Sequence, residues 1–220
     1  MKLPRDDASG GRLAPEDFAS ALTHGLGAMA ALVGGSVLIT LAAVYGDWRQ
    51  LAGAIVFATC LLLLYMASTL YHAVWHPVAK ARLKVFDHCA IYLLIAATYT
   101  PFTLIALRGG LGWWLFGGIW TLASAGVVFK LFYTGRFKLL STLLYVAMGW
   151  LAVLAIKPLL AALDTWSLAW VLAGGIAYTL GTVFYHRQSP RYSHAIWHLF
   201  VIAGSVCHYI AVLSLVLPAD

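Results

Sequence analysis

Ser193-His194-Ala195-Ile196-Trp197-His198-Leu199-Phe200-Val201-Ile202-Ala203 opens the last apolar run of the chain, which continues through His208 to about Leu217. A membrane-spanning helix takes about 20 mostly apolar residues, and this run is long enough. On a helix, residues four apart lie one above the other on the same face. His194 and His198 are therefore neighbours at the mouth of an apolar span. Lipid offers imidazole nitrogens no partner, so the pair needs one from within. Two arrangements satisfy it: a shared metal ion, or a hydrogen-bonded helix-packing pair.

The rest of the chain has the same character. It has 220 residues, 62% of them hydrophobic and only 10% charged. Soluble domains carry roughly 25% charged residues, so this chain cannot clothe itself in a polar surface. Seven apolar runs are legible, at about 22–45, 49–75, 84–107, 111–133, 139–160, 166–186 and 194–217. Short separators rich in Gly, Pro, Asp and basic residues divide them. The ten-residue alternation of a β-barrel is absent. The expectation is an all-α integral membrane protein, a seven-transmembrane helix bundle. A short N-terminal segment (1–20) precedes the transmembrane domain (21–217). The polar start of the chain lacks the apolar core of a signal peptide.

Charge fixes the orientation. Eleven of the fourteen Lys and Arg residues fall at the N-terminus or in the second, fourth and sixth separators. Only Arg49, Arg108 and Lys157 fall on the other side. The positive-inside rule puts the N-terminus in the cytoplasm and the C-terminus outside. The net charge of +6 is thereby a topology signal, and nucleic acid is not an expected partner. Cys60, Cys89 and Cys207 have no paired spacing and read as small buried hydrophobes. The tryptophans flanking spans, such as Trp48, Trp75, Trp113, Trp114 and Trp166, read as an aromatic belt. Pro101 predicts a kink in the third span, and Gly34-Gly35 and Gly174-Gly175 predict close helix packing.

Topology also sorts the histidines. His24, His72, His76, His88, His186, His194 and His198 come from five spans, yet all fall near the cytoplasmic face. His208 alone lies deeper, by about 15 Å at 1.5 Å per residue. His76 and His186 read as interface anchors and His88 as a packing or interface residue. His24 is ambiguous, and His208 is expected to make an interhelical hydrogen bond. Asp87 opens the third span just inside its apolar run, where a carboxylate needs a partner. Ser68 lies one turn from His72 on the same face. Three histidines with an open fourth position make a common catalytic zinc site. His72, His194 and His198 suit the ligand role. Asp87 suits orienting or deprotonating a water, and Ser68 a supporting hydrogen bond.

These motifs resemble a known family. Ser68-x3-His72, Asp87 opening the next helix, and His194-x3-His198 in a seventh span form the pattern of the progestin and adipoQ receptor family, whose bacterial branch is the hemolysin III family. Local strings carry the likeness: Thr23-His24-Gly25-Leu26-Gly27, Ser68-Thr69-Leu70-Tyr71-His72, Phe86-Asp87-His88-Cys89-Ala90-Ile91-Tyr92 and His194-Ala195-Ile196-Trp197-His198. It runs from Glu16 to about Leu217, with Ser20 standing where the family often has Asn. The resemblance implies zinc held by His72, His194 and His198, with Asp87 and Ser68 beside a bound water. It also implies kinship with intramembrane zinc hydrolases that act on lipid amides or esters.

The expected function is that of a multi-pass protein of the cell inner (plasma) membrane, with an intramembrane zinc site near its cytoplasmic face. It would act as a ceramidase-like hydrolase in membrane-lipid homeostasis. Its partners would be membrane lipids, with an acyl chain in the bundle cavity. No Gly-x-Ser-x-Gly elbow supports a serine mechanism. Two alternatives use the same residues or the family name: a receptor-like sensor with structural zinc, and a hemolysin or channel-type pore. No amphipathic insertion segment or row of polar residues favours the pore.

Overall fold

The computed structural model describes residues 13–187 and 191–217. The basic residues expected at the extreme N-terminus, Lys2, Arg5 and Arg12, and the Gln188-Ser189-Pro190 separator lie outside the described residues. Eight α-helices follow one another, with no strand among the described residues: α1 (Pro15–Tyr45), α2 (Trp48–Ala73), α3 (Pro77–Pro101), α4 (Gly110–Tyr133), α5 (Lys138–Gly149), α6 (Ile156–Ala162), α7 (Thr165–His186) and α8 (Ser193–Val216). They build seven membrane-length spans, because α5, a 3-10 stretch and α6 together form the fifth. The odd number puts the two ends of the bundle on opposite faces.

Two spans depart from regular helix, each at a proline. Pro101 has no N–H to give back to the preceding turn. The chain widens there into a π-helical turn, Phe102–Ala106, which is the form the expected kink takes. The fifth run reads as one helix in the sequence, but it breaks into a 3-10 segment, Trp150–Ala155, before resuming as α6. Pro158 sits at the third position of α6. Its ring crowds the carbonyl four residues back and its missing N–H leaves that turn unbonded, so the helix must restart near it.

The third span is the hub. Two-thirds of its apolar window (67%) is buried against other helices, compared with 17% for the sixth. Helix association in lipid gains little from apolar burial, since lipid is equally apolar, and depends on close packing of small residues. The α1–α2 seam shows this. A Cβ on Gly35 would come within 2.9 Å of Ala58 Cβ, and one on Gly27 within 2.9 Å of the Tyr65 ring. The buried stripe of α1 recurs every three or four residues: Ser20, His24, Gly27, Ala31, Gly35, Leu38 and Ala42. The outer surface is apolar, with Leu32, Val33 and Leu154 well exposed. Trp48, Trp75, Trp113, Trp114 and Trp166 are also exposed, as a lipid-facing belt requires.

A histidine cluster at the basic end of the bundle

His72, His194 and His198 meet. They lie on the last turn of α2 and the first two turns of α8, and one ligand nitrogen from each lies within 4.8 Å of the others. Their ring centroids are 4.7–5.1 Å apart. His72 and His198 are buried and His194 is half-buried.

The first helix sets their tautomers. His72 Nδ1 donates to Asp17 Oδ1 at 2.7 Å, and Lys80 Nζ donates to Asp17 Oδ2 at 2.8 Å. His198 Nδ1 donates to the carbonyl of Ser20 at 3.1 Å. With Nδ1 protonated on both rings, each Nε2 keeps its lone pair, the form that binds a metal. Glu16 accepts from the backbone N–H of His194 at 3.1 Å. It thereby serves the otherwise uncapped start of α8, whose N-cap Tyr192 makes no side-chain bond. Asp17 is the residue that sequence reasoning missed. Its signal was present: Asp17, Ser20, His24 and Gly27 follow the helical period of the stripe that buries α1.

His24 also belongs to the cluster. It is 3% exposed and stacks on His198, with centroids 3.5 Å apart and planes 8° from parallel. Asp87 and Ser68 are buried, and both line a cavity shared with His194 and His198. The cavity has a volume of about 140 Å³. It runs from this polar end past Ile91, Leu94, Tyr145 and Val146 to Trp150, Gly175 and His208. His208 makes the expected interhelical bond, Nε2 to the carbonyl of Val171 at 3.2 Å. His88 is buried, with Nε2 3.4 Å from the Tyr185 hydroxyl. His76 is exposed and caps α3 through Ala79 N. His186 ties α7 to α5 through Thr142 at 3.0 Å.

Buried polar atoms are ordinarily hydrogen-bonded. Tyr92 Oη, Trp170 Nε1 and His208 Nδ1 are exceptions elsewhere in the bundle, but most of the exceptions gather at one end. Ser20 Oγ, both ring nitrogens of His24, Ser68 Oγ, His72 Nε2, His88 Nδ1 and Ser193 Oγ have no partner among the described residues. Three converging imidazoles, two of them with Nδ1 committed to an acceptor and His72 Nε2 left without a partner, are a donor set that suits a zinc-type ion.

Fold and site together define a seven-helix membrane protein with a three-histidine centre inside the basic end of the bundle. The chain belongs to the haemolysin-III related family, whose profile matches residues 14–209. It is 46% identical over 203 residues to Hemolysin-3 of Bacillus cereus, covering 92% of this chain and 93% of that one. It is 44% identical over 198 residues to the Hemolysin-3 homolog of Bacillus subtilis, covering 90% and 93%. The human monocyte to macrophage differentiation factor is 30% identical over 206 residues, covering 90% and 83%. The resemblance to the progestin and adipoQ receptor family and its hemolysin III branch holds.

Proposed function

We propose that the protein is an intramembrane zinc-dependent hydrolase of lipid amide or ester bonds. The observation that carries this reading is the convergence of His72, His194 and His198 beside a cavity lined by Asp87 and Ser68. Those three histidines would hold the ion. Zinc in such a site supplies a Lewis acid and an acidified water.

The chain's own groups divide the remaining work. Asp17 and the Ser20 carbonyl fix the imidazole orientations. The Asp87 carboxylate takes a proton from water during attack on the acyl carbonyl, then delivers it to the leaving nitrogen or oxygen. Ser68 donates its hydroxyl to developing negative charge. Apolar walls from Ile91, Leu94, Val146 and Val201 receive the acyl chain. The bias of Lys and Arg supports a cytoplasmic position for this end of the bundle in the plasma membrane, with membrane lipids as substrate and product.

Turnover of a lipid amide and a lipid ester by detergent-purified protein tests the proposal, with Asp87→Asn as the decisive variant. Wild-type turnover, with a variant that keeps its zinc but is inactive, supports hydrolysis. Zinc in both proteins with turnover in neither contradicts it and leaves the metal as a structural tie between α2 and α8.

A further inference from the structure

A second cavity adjoins the first at the basic end. It measures about 310 Å³ and is lined by Lys84, Lys130, Arg136 and Lys138. Its one carboxylate is Asp87. The two cavities share Asp87, His88, Tyr185 and His194, so they meet at the histidine cluster.

Basic residues at a cytoplasmic face ordinarily need no explanation beyond topology. Lys130 does not fit that account. A topological lysine reaches toward water, whereas Lys130 is 3% exposed and held inward, Nζ donating to Ser141 Oγ at 2.6 Å. Buried lysines are nearly always paired with an acid. Among the described residues, no carboxylate forms an ion pair with any of the four cations. Lys138 is turned over the Tyr185 ring and donates to the Tyr185 carbonyl at 2.9 Å.

The backbone adds to the positive field. Gly135, which lines this cavity, has a φ of 85°. Phe137 follows with a φ of 51° and starts the twelve-residue helix α5 without a capping side chain. A helix start with unbonded N–H groups favours an anion. The buried His88, whose Nδ1 has no partner, completes the wall.

We infer that this vestibule binds a phosphate group, held by Lys84, Lys130, Arg136 and Lys138 and placed one cavity away from the acyl-chain site. A lipid phosphate would sit here with its chains running past His194 into the apolar cavity. A free phosphate would occupy the vestibule alone. The inference deepens the hydrolase reading by giving the substrate's headgroup a charge, but phosphate binding does not require turnover.

Equilibrium binding to the detergent-purified full chain tests it, using dioctanoyl phosphatidic acid, dioctanoylglycerol and inorganic phosphate as probes. Phosphatidic acid is expected to bind at least about tenfold more tightly than dioctanoylglycerol, the ratio worth one charge-assisted contact. That preference should shrink as salt rises. Arg136→Gln, at an exposed position, and Lys84→Gln, at a half-buried one, should each weaken phosphatidic acid binding by about tenfold with no change in unfolding temperature. Phosphatidic acid binding much more tightly than inorganic phosphate assigns the lipid source, and equal affinities assign the free anion. No binding of either phosphate, or equal binding of phosphatidic acid and dioctanoylglycerol, overturns the inference. Turnover of a neutral lipid amide alongside that negative result would show that the hydrolase reading survives without it.

Discussion

Asp17 on the first helix holds the Nδ1–H of His72 on the second at 2.7 Å, and Lys80 anchors the same carboxylate from the third. One acid thus links three spans and fixes the tautomer of a candidate metal ligand. A carboxylate behind a ligating histidine sets ring orientation and basicity. Asp17→Asn should therefore weaken zinc binding by about 10–100-fold, measured by competition with a chromogenic chelator. Unchanged affinity would mean that the bond only packs α1 against α2.

The His24–His198 stack calls for a flat ring and no ring nitrogen. Both nitrogens of His24 are buried without partners, and its ring plane lies parallel to that of His198. His24→Phe should retain full zinc content. His24→Ala should lower stability by about 2–3 kcal/mol through the cavity it leaves. Zinc loss in the Phe variant would instead make His24 a ligand.

Gly174 on α7 faces His208 so closely that an added Cβ would overlap the imidazole. Gly174→Ala should push His208 from the Val171 carbonyl and cost about 1–3 kcal/mol. Gly118 on α4 has open space where its Cβ would be. Gly118→Ala should stay within about 0.5 kcal/mol of wild type. Unfolding midpoints in one detergent compare the two.

Asp47, between the first two spans, caps α2 through Arg49 N and Gln50 N, while Gln50 returns a bond to Asp47 N at 2.7 Å. The Gln50 N–H foremost, then that of Arg49, holds its carboxyl below the usual carboxylate range. A lowered folded pKa contributes stability above the unfolded value of about 3.9. That contribution is lost as the pH falls through the folded value. Asp47→Ala should cost about 1 kcal/mol near neutrality. The gap from wild type should close as the medium is acidified below about pH 4. A pH-independent gap would exclude the cap as its cause.

The parts of this molecule that were legible in its sequence are those carried by local spacing. Span lengths, the Lys and Arg bias and the His194–His198 repeat each need only a helix to be read. That Asp87 and Ser68 would be buried and turned toward other polar groups was legible because polar groups are costly inside an apolar run. Asp17 was not, since its partner is 55 residues away and it reads as an ordinary helix-start acid. The break at Trp150–Ala155 was hidden by an unbroken apolar run, although Pro158 marked it. Lys130 read as a topology signal because sequence shows sign and position but not the direction of a side chain.

Whether the three histidines hold a metal is decided by the metal content of the detergent-purified protein, with wild type measured beside His72→Ala and His194→Ala. About one zinc per wild-type chain is expected, with loss of that zinc in both variants, one on α2 and one on α8. Folded wild-type protein without metal, or zinc retained in both variants, would contradict the zinc site.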